Sequence, residues 1–251
     1  MRSSAASDVY KRQAVCACGM ENNMKKYILF DLDGTLTEPK EGITKSVQYA
    51  LDSIGIHEPD LNNLIKFIGP PLEVSFKEYY GLNDADTKEA VKRYRERYKD
   101  VGIFENSIYD GVTDMLDALK KQGAGLALAT SKPDIFAERI VDEYGMRPYL
   151  DVVAGGKING SCVKADVIRE AFEKLGIGED DKKKVIMVGD REHDIIGANE
   201  CGIESVGVYF GYAAPGELEA AGATYIVSSM GELKQLLLEL SSEAQEEEGQ
   251  R

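Results

Sequence analysis

The sequence predicts an α/β protein, a doubly wound parallel sheet core with an inserted all-helical module, and three observations carry that reading. Short apolar runs recur at residues 27–30, 125–130, 152–154, 185–188 and 205–209, in the manner of buried parallel strands. Helical patterns lie between the later runs, at 112–121, 134–144, 165–175 and 194–201, so strand and helix alternate as right-handed βαβ units require. Residues 42–105 break the rhythm, with helical patterns at 43–54, 72–80 and 85–99 and no convincing strand.

Residues 24–41 therefore hold the first strand and its loop, and residues 106–240 complete the core. A helical module inserted after the first strand would sit over the carboxyl ends of the strands, where open α/β sheets bind ligands, and is a candidate lid. The ends belong to neither part. Residues 1–19 are small, polar and unpatterned, without the apolar stretch of a secretory signal. Their run SSAASDVYKRQ resembles translated sequencing-adapter DNA fused in frame, which places the natural start at Met20 or Met24; a short disordered leader is the alternative. Residues 241–251 carry four glutamates and almost no apolar side chain, so burial there cannot offset ordering, and a disordered acidic tail is expected.

The 251 residues are enough for one sizeable core with a smaller appended domain. With 43% hydrophobic and 29% charged residues and no long apolar run, the composition is that of a soluble protein, and no membrane partner is expected. A net charge of -14 opposes binding of a nucleic acid polymer, so a small anionic substrate would have to be met by a metal ion or by a few placed lysines and amides. Four cysteines, Cys16, Cys18, Cys162 and Cys201, are too few and too unevenly spaced for a disulfide framework, which suits a reducing cytoplasm. Cys16 and Cys18 form a lone Cys-x-Cys without a second half, a poor metal site.

The polar residues that carry chemistry cluster at strand ends. Asp31-Leu32-Asp33-Gly34-Thr35 follows the first run, and along an extended segment Asp31 and Asp33 point the same way. Turn-forming preference alone also puts Asp and Gly there. Gly189-Asp190-Arg191-Glu192-His193-Asp194 ends another run, and carboxylates gathered from both clusters would repel unless a hard divalent cation relieved them. Thr130 closes a third run, where its hydroxyl and the Ser131 amide could donate to a phosphoryl oxygen, or where Thr130 could cap the helix opened by Pro133. Lys164, just before a helix, could balance carboxylates and phosphate, or merely be solvated.

In this order, DxDGT, Thr, Lys and GDxxxD resemble the haloacid dehalogenase superfamily of phosphatases, with its Rossmann-like core, over residues 27–240. The resemblance implies Asp31 as nucleophile, Asp33 as general acid and base, Thr130 as phosphate binder and Lys164 as charge neutraliser. It also implies Mg2+ held by Asp31, the main-chain carbonyl of Asp33 and Asp190, with Asp194 supporting bound waters. One departure is that relatives often follow the motif lysine with Pro-x-Pro, whereas Ala165-Asp166 follow Lys164, which leaves Lys157 as a rival.

The chemistry agrees with such a set. Phosphate monoester hydrolysis needs acceleration of up to ~10²¹, and one oxyanion donor supplies only about 2.7–4 kcal/mol, so several elements must cooperate. A leaving alkoxide needs a proton, which Asp33 could give, whereas a halide needs none; the second aspartate favours phosphatase over dehalogenase chemistry. The helical module resembles the cap of the phosphoglycolate phosphatase-like branch, and GDREHD with Thr37-Glu38-Pro39 resembles members acting on phosphoglycolate or nucleoside 5'-monophosphates. Gly69 and Pro70, in the Gly69-Pro70-Pro71-Leu72 loop, are candidate substrate-binding residues, or a Pro-stiffened link between helices. Tyr79, Tyr80, Tyr94 and Tyr98 fit packing of the cap better than base stacking, and His193 is expected to face solvent. The partner expected is a small phosphorylated metabolite. The competing readings are a phosphosugar mutase and a non-catalytic binding or regulatory member of the fold.

Overall fold

The computed structural model describes residues 24–157 and 163–242. Cys16, Cys18 and Cys162, the leader and residues 243–251 of the tail lie outside the described residues. Six parallel strands form the main sheet: β1 (Tyr27–Phe30), β4 (Gly125–Pro133), β5 (Val152–Gly156), β6 (Val185–Gly189), β7 (Glu204–Val208) and β8 (Tyr225–Val227). Their spatial order is β5-β4-β1-β6-β7-β8. The chain winds outward from β1 first through β4 and β5, then through β6, β7 and β8. That reversal places a topological switch point at β1, where a crevice opens beyond the strand ends.

The central strand shows why both faces are covered. Ile28 and Phe30 point into one apolar layer and Leu29 into the other, and all three are fully buried. The first layer is closed by α4 (Val112–Lys121), α5 (Asp134–Glu143) and α9 (Met230–Ser241), through Leu116, Phe136 and Leu237 among others. The second is closed by α6 (Lys164–Leu175) and α7 (Glu192–Cys201), through Ile168, Phe172, Ala198 and Cys201. Each fully buried Leu, Ile or Phe contributes about 1.5–3 kcal/mol, so three such positions are enough to fix the register of this strand.

A two-stranded antiparallel ribbon, β2 (Thr37–Glu38) with β3 (Ser107–Ile108), ties together the segments that leave and re-enter the core. Between them lies the cap: α1 (Lys40–Ser53), a 3₁₀ turn at Leu61–Phe67, α2 (Leu72–Tyr80) and α3 (Asp84–Tyr98). Asn83 caps α3 by accepting from the amides of Ala85 and Asp86, and Gly81 ends α2 in the left-handed conformation. Phe67 is the centre of the cap's own packing, edge-on to Phe76 at 5.0 Å and to Tyr79 at 5.5 Å. Tyr94 and Tyr98 stack at 5.2 Å.

Several expected bounds shift. The helical module begins at Lys40 rather than 42, α7 begins at Glu192 rather than 194, and β4 runs on to Pro133. Strand β8, the β2–β3 ribbon, the short helix α8 (Glu217–Ala220) and α9 had no counterpart in the pattern reading. The ribbon pairs only two residues per strand, and β8 has three, too short for a period to register. Ser241, placed in the tail from composition, is instead the last residue of α9; it is buried and donates to Gln122 Oε1 at 2.7 Å. No helix among the described residues is long and apolar enough to cross a membrane.

Candidate active site

The site lies at the carboxyl ends of β1, β4 and β6, under the cap. Asp31 leaves β1 with its amide donating to Val188 O at 2.9 Å, which locks its backbone to β6. A tight turn follows, with Leu36 N donating to Leu32 O and Gly34 N to Thr37 O. Gly34 has φ +84, and a Cβ there would lie 2.2 Å from Asp190 Oδ2. Only glycine lets this turn press against the second acidic loop. Asp190 follows β6 and accepts from the Tyr212 amide at 2.8 Å; Asp194, in the first turn of α7, accepts from the Arg191 amide at 3.0 Å.

Asp31, Asp190 and Asp194 are all buried and offer carboxylate oxygens within 4.8 Å of one another. Burial, then repulsion from Asp194 and Asp31, pushes the Asp190 carboxyl well above the usual carboxylate range. Burial also raises Asp194, against the lowering pull of Lys164. Lys164 Nζ sits 2.7 Å from Asp31 Oδ1 and 2.6 Å from Asp194 Oδ1, and donates to Ala129 O at 3.1 Å. Burial alone would lower the Lys164 ammonium, but the two carboxylates outweigh it and hold it above its ordinary value. One ammonium against three carboxylates leaves negative charge in a desolvated place, and an all-oxygen donor set of this kind fits a hard divalent cation.

Asp33 stands apart. Its carboxylate, expected among the metal ligands, is outside that cluster and meets Lys132 Nζ at 2.5 Å through Oδ2 instead. Burial raises the Asp33 carboxyl, opposed by Lys132. Thr130 is buried at the end of β4, and its Oγ1 accepts from the Lys132 amide at 3.2 Å. It does not cap the following helix: Pro133 holds that position, and the ladder to β5 is irregular between Thr130 and Pro133. Such irregularities re-aim side chains beside active sites, here Ser131 and Lys132.

A cavity of about 380 Å³ between cap and core is lined by Asp31, Asp33, Thr130, Ser131, Lys164, Gly69 and Pro70, so these seven residues are brought together. Gly69 has φ +104 and packs on Arg191, where an added Cβ would lie 3.1 Å from Nη1. Lys157, the rival lysine, also borders the cavity, but its side chain is 71% exposed and pairs with Glu170 at 3.7 Å rather than with an aspartate. His193 is exposed at the rim. Tyr94 and Tyr98 are buried in the cap's packing, while Tyr79 and Tyr80 flank Phe67.

Lys132 and Arg191 join the site without a role assigned to either by the sequence motifs. Lys132 donates to Asp33 and, at 2.7 Å, to the Tyr98 hydroxyl of the cap. Its signal was weak, since the strand period breaks down at the irregular end of β4. Arg191 donates to Ile68 O of the cap at 2.9 Å through Nη1 and to Glu217 through Nε. In the β2–β3 ribbon, Glu38 accepts from the hydroxyls of Tyr109, at 3.2 Å, and Tyr212.

The haloacid dehalogenase-like hydrolase family model matches residues 28–208. A 5'-nucleotidase of Pseudomonas aeruginosa is 41% identical over 211 residues, covering 84% of this chain and 94% of that protein. The tyrosine-protein kinase PtkA of Mycobacterium tuberculosis is 34% identical over 213 residues, covering 84% of this chain and 72% of that protein. Among solved structures, a predicted phosphatase from Clostridium acetobutylicum superimposes with a TM-score of 0.81 at 45% identity, covering 86% of this chain and 99% of that one. The acidic turn of β1, the lysine opening α6 and the acidic loop of β6 all fall inside the matched span. The chain belongs to the haloacid dehalogenase-like hydrolase family, among its phosphatases.

Proposed function

We propose that the protein is a magnesium-dependent phosphatase that hydrolyses a small phosphate monoester through an aspartyl-phosphate on Asp31, in the manner of phosphoglycolate phosphatases or 5'-nucleotidases. The observation that carries this reading is the buried convergence of Asp31, Asp190 and Asp194 on one side of Lys164, with the separately held Asp33 beside them. Asp31, Asp190 and the Asp33 carbonyl would hold Mg2+, with Asp194 behind them, and the ion would offset the repulsion between the Asp31 carboxylate and the incoming phosphate.

The remaining work falls to the chain. Lys164, Thr130 and the Ser131 amide bind the phosphoryl oxygens and place phosphorus in line with a carboxylate oxygen of Asp31. As the Asp31–phosphorus bond forms and the ester P–O bond breaks, Asp33 gives its proton to the leaving oxygen. In the second step Asp33 takes a proton from water, which displaces phosphate from Asp31 and restores both carboxyl groups. The cavity of about 380 Å³ suits a small leaving group rather than a polymer.

The test is phosphate release, with and without magnesium, from a panel of glycolate phosphate, nucleoside monophosphates, sugar phosphates and pyrophosphate. Magnesium-dependent release from at least one ester is expected. No release from any of them would overturn the reading and favour a binding role, and transfer between sugar phosphates without release would point to a mutase.

A further inference from the structure

Lys132 is a buried cation of the cavity to which the phosphate chemistry above assigns no task; its side chain is 6% exposed. Its ammonium touches both halves of the molecule. On the core side it holds Oδ2 of Asp33 at 2.5 Å, and on the cap side it donates to the Tyr98 hydroxyl at 2.7 Å and lies 4.9 Å from the centre of the Tyr98 ring. Tyr98 is itself fixed, stacked on Tyr94 at 5.2 Å and edge-on to Phe136 of the core at 5.4 Å. Asp33 is thus held by one oxygen only. Its Oδ1 is buried and has no hydrogen-bond partner among the described residues.

An unpartnered buried carboxylate oxygen is costly and calls for an explanation. Here the two oxygens of one carboxylate are treated differently, one anchored by a cation that the cap positions, the other left over in a residue that lines the substrate cavity. We propose that Lys132 and Tyr98 are positioning residues for proton transfer: the closed cap fixes the Lys132 ammonium, the ammonium fixes Oδ2 of Asp33, and Oδ1 is the oxygen that carries the proton to the leaving group. The inference rests on the aspartyl-phosphate reading. In the first step the Asp31–phosphorus bond forms, the ester P–O bond breaks, and the proton on Asp33 Oδ1 passes to the departing oxygen. The cap then has a second task beside enclosing the substrate, because proton donation is aligned only when Tyr98 is seated.

Leaving-group dependence separates this from a merely structural ion pair. A nucleoside 5'-monophosphate releases an alkoxide that needs a proton, whereas p-nitrophenyl phosphate releases a stable phenolate that does not. The experiment compares kcat/KM for both esters, a quantity that reports the steps through phosphorylation of Asp31, in the full chain with magnesium, for wild type, Lys132→Gln, Lys132→Arg and Tyr98→Phe. With Lys132→Gln the alkyl ester is expected to lose about 100-fold, the lower range for a general acid, and the aryl ester at least about 10-fold less. Lys132→Arg should recover part of that difference, and Tyr98→Phe, which removes one hydroxyl and keeps the ring, should show the same bias in smaller measure.

Equal losses for the two esters would overturn the inference while leaving the phosphatase reading intact. Should Lys132→Gln fail to fold in a circular-dichroism melt, Tyr98→Phe decides by the same ratio. A wild type that releases phosphate from neither ester, nor from any other of the panel, would remove the phosphatase reading and this inference with it.

Discussion

The ammonium of Lys164 lies 2.7 Å from Oδ1 of Asp31, joining residues 133 positions apart in the chain. It also contacts Asp194, so one buried cation serves two carboxylates. Removing one partner of a buried pair while its charge stays behind costs about 3–5 kcal/mol, because the remaining charge is desolvated and uncompensated. Lys164→Met should therefore lower the melting temperature in chelator and lose activity as well. Added magnesium should raise the melting temperature of the variant more than that of wild type, since the cation then relieves a larger excess of negative charge. A variant that melts with wild type and ignores magnesium would contradict this account.

Replacing the nucleophile separates chemistry from folding. Asp31→Asn keeps the side chain's size and leaves Lys164 paired with Asp194. Loss of a residue that forms the covalent bond typically costs about 10⁵-fold or more in turnover. Hydrolysis should fall to that extent, while the circular-dichroism spectrum and melting curve stay those of a folded protein. Retained turnover would end the assignment of Asp31.

Asp190 ties stability to pH. Its carboxyl is raised by burial and by Asp194 and Asp31, so the folded state binds that proton more tightly than the unfolded chain does. Stability from this group is fully present below the unfolded value of about 3.9 and is lost as pH rises through the raised folded value. Asp33 and Asp194 act in the same direction. In chelator, Asp190→Asn should thus melt above wild type at neutral pH and by a smaller margin near pH 4. Each kcal/mol relieved is worth about 2–4 °C in a chain of this size. In magnesium the order should reverse, because the variant has lost a ligand. Thermal melts across pH, with and without magnesium, read both outcomes.

How far the sequence alone reached follows from what each signal depends on. The five longer strands and the helices between them were legible because buried parallel strands are continuous apolar runs, and Asp31, Asp33, Asp190 and Asp194 because carboxylates at such strand ends are hard to explain by packing. Lys164 is favoured in the sequence because it leads into a helix, whereas Lys157 lies in the turn-like stretch of residues 155–160, and the fold separates the two by a buried contact with Asp31 against an exposed one with Glu170. Lys132 was hidden by its neighbours, since Thr-Ser-Lys-Pro reads as a polar loop until the irregular end of β4 shows Thr130 and Lys132 working from one strand. The spacing of Tyr98 predicts packing, which it provides through Tyr94, but its hydroxyl meets a cation of the core that no cap periodicity could reveal.

Arg191 offers the plainest test of cap seating. Its Nη1 donates to the Ile68 carbonyl, one residue before the Gly69-Pro70 turn that lines the cavity, and Glu217 holds the other side of the guanidinium at 2.8 Å. A hydrogen bond from a charged donor is worth about 1.5–3 kcal/mol, which corresponds to roughly 10- to 100-fold in the population of the seated loop. Arg191→Met keeps much of the aliphatic stem against Gly69 and removes only the charged donors. Because the loop borders the substrate rather than the reacting atoms, KM should rise by about 10-fold with a smaller change in kcat, and limited proteolysis should cut within residues 61–72 faster than in wild type. Saturating substrate or product should slow that cleavage, as a ligand bound beneath the loop would favour its seated state. A fall in kcat at constant KM, with unchanged proteolysis, would show that Arg191 acts on the acidic loop beside it and not on the cap.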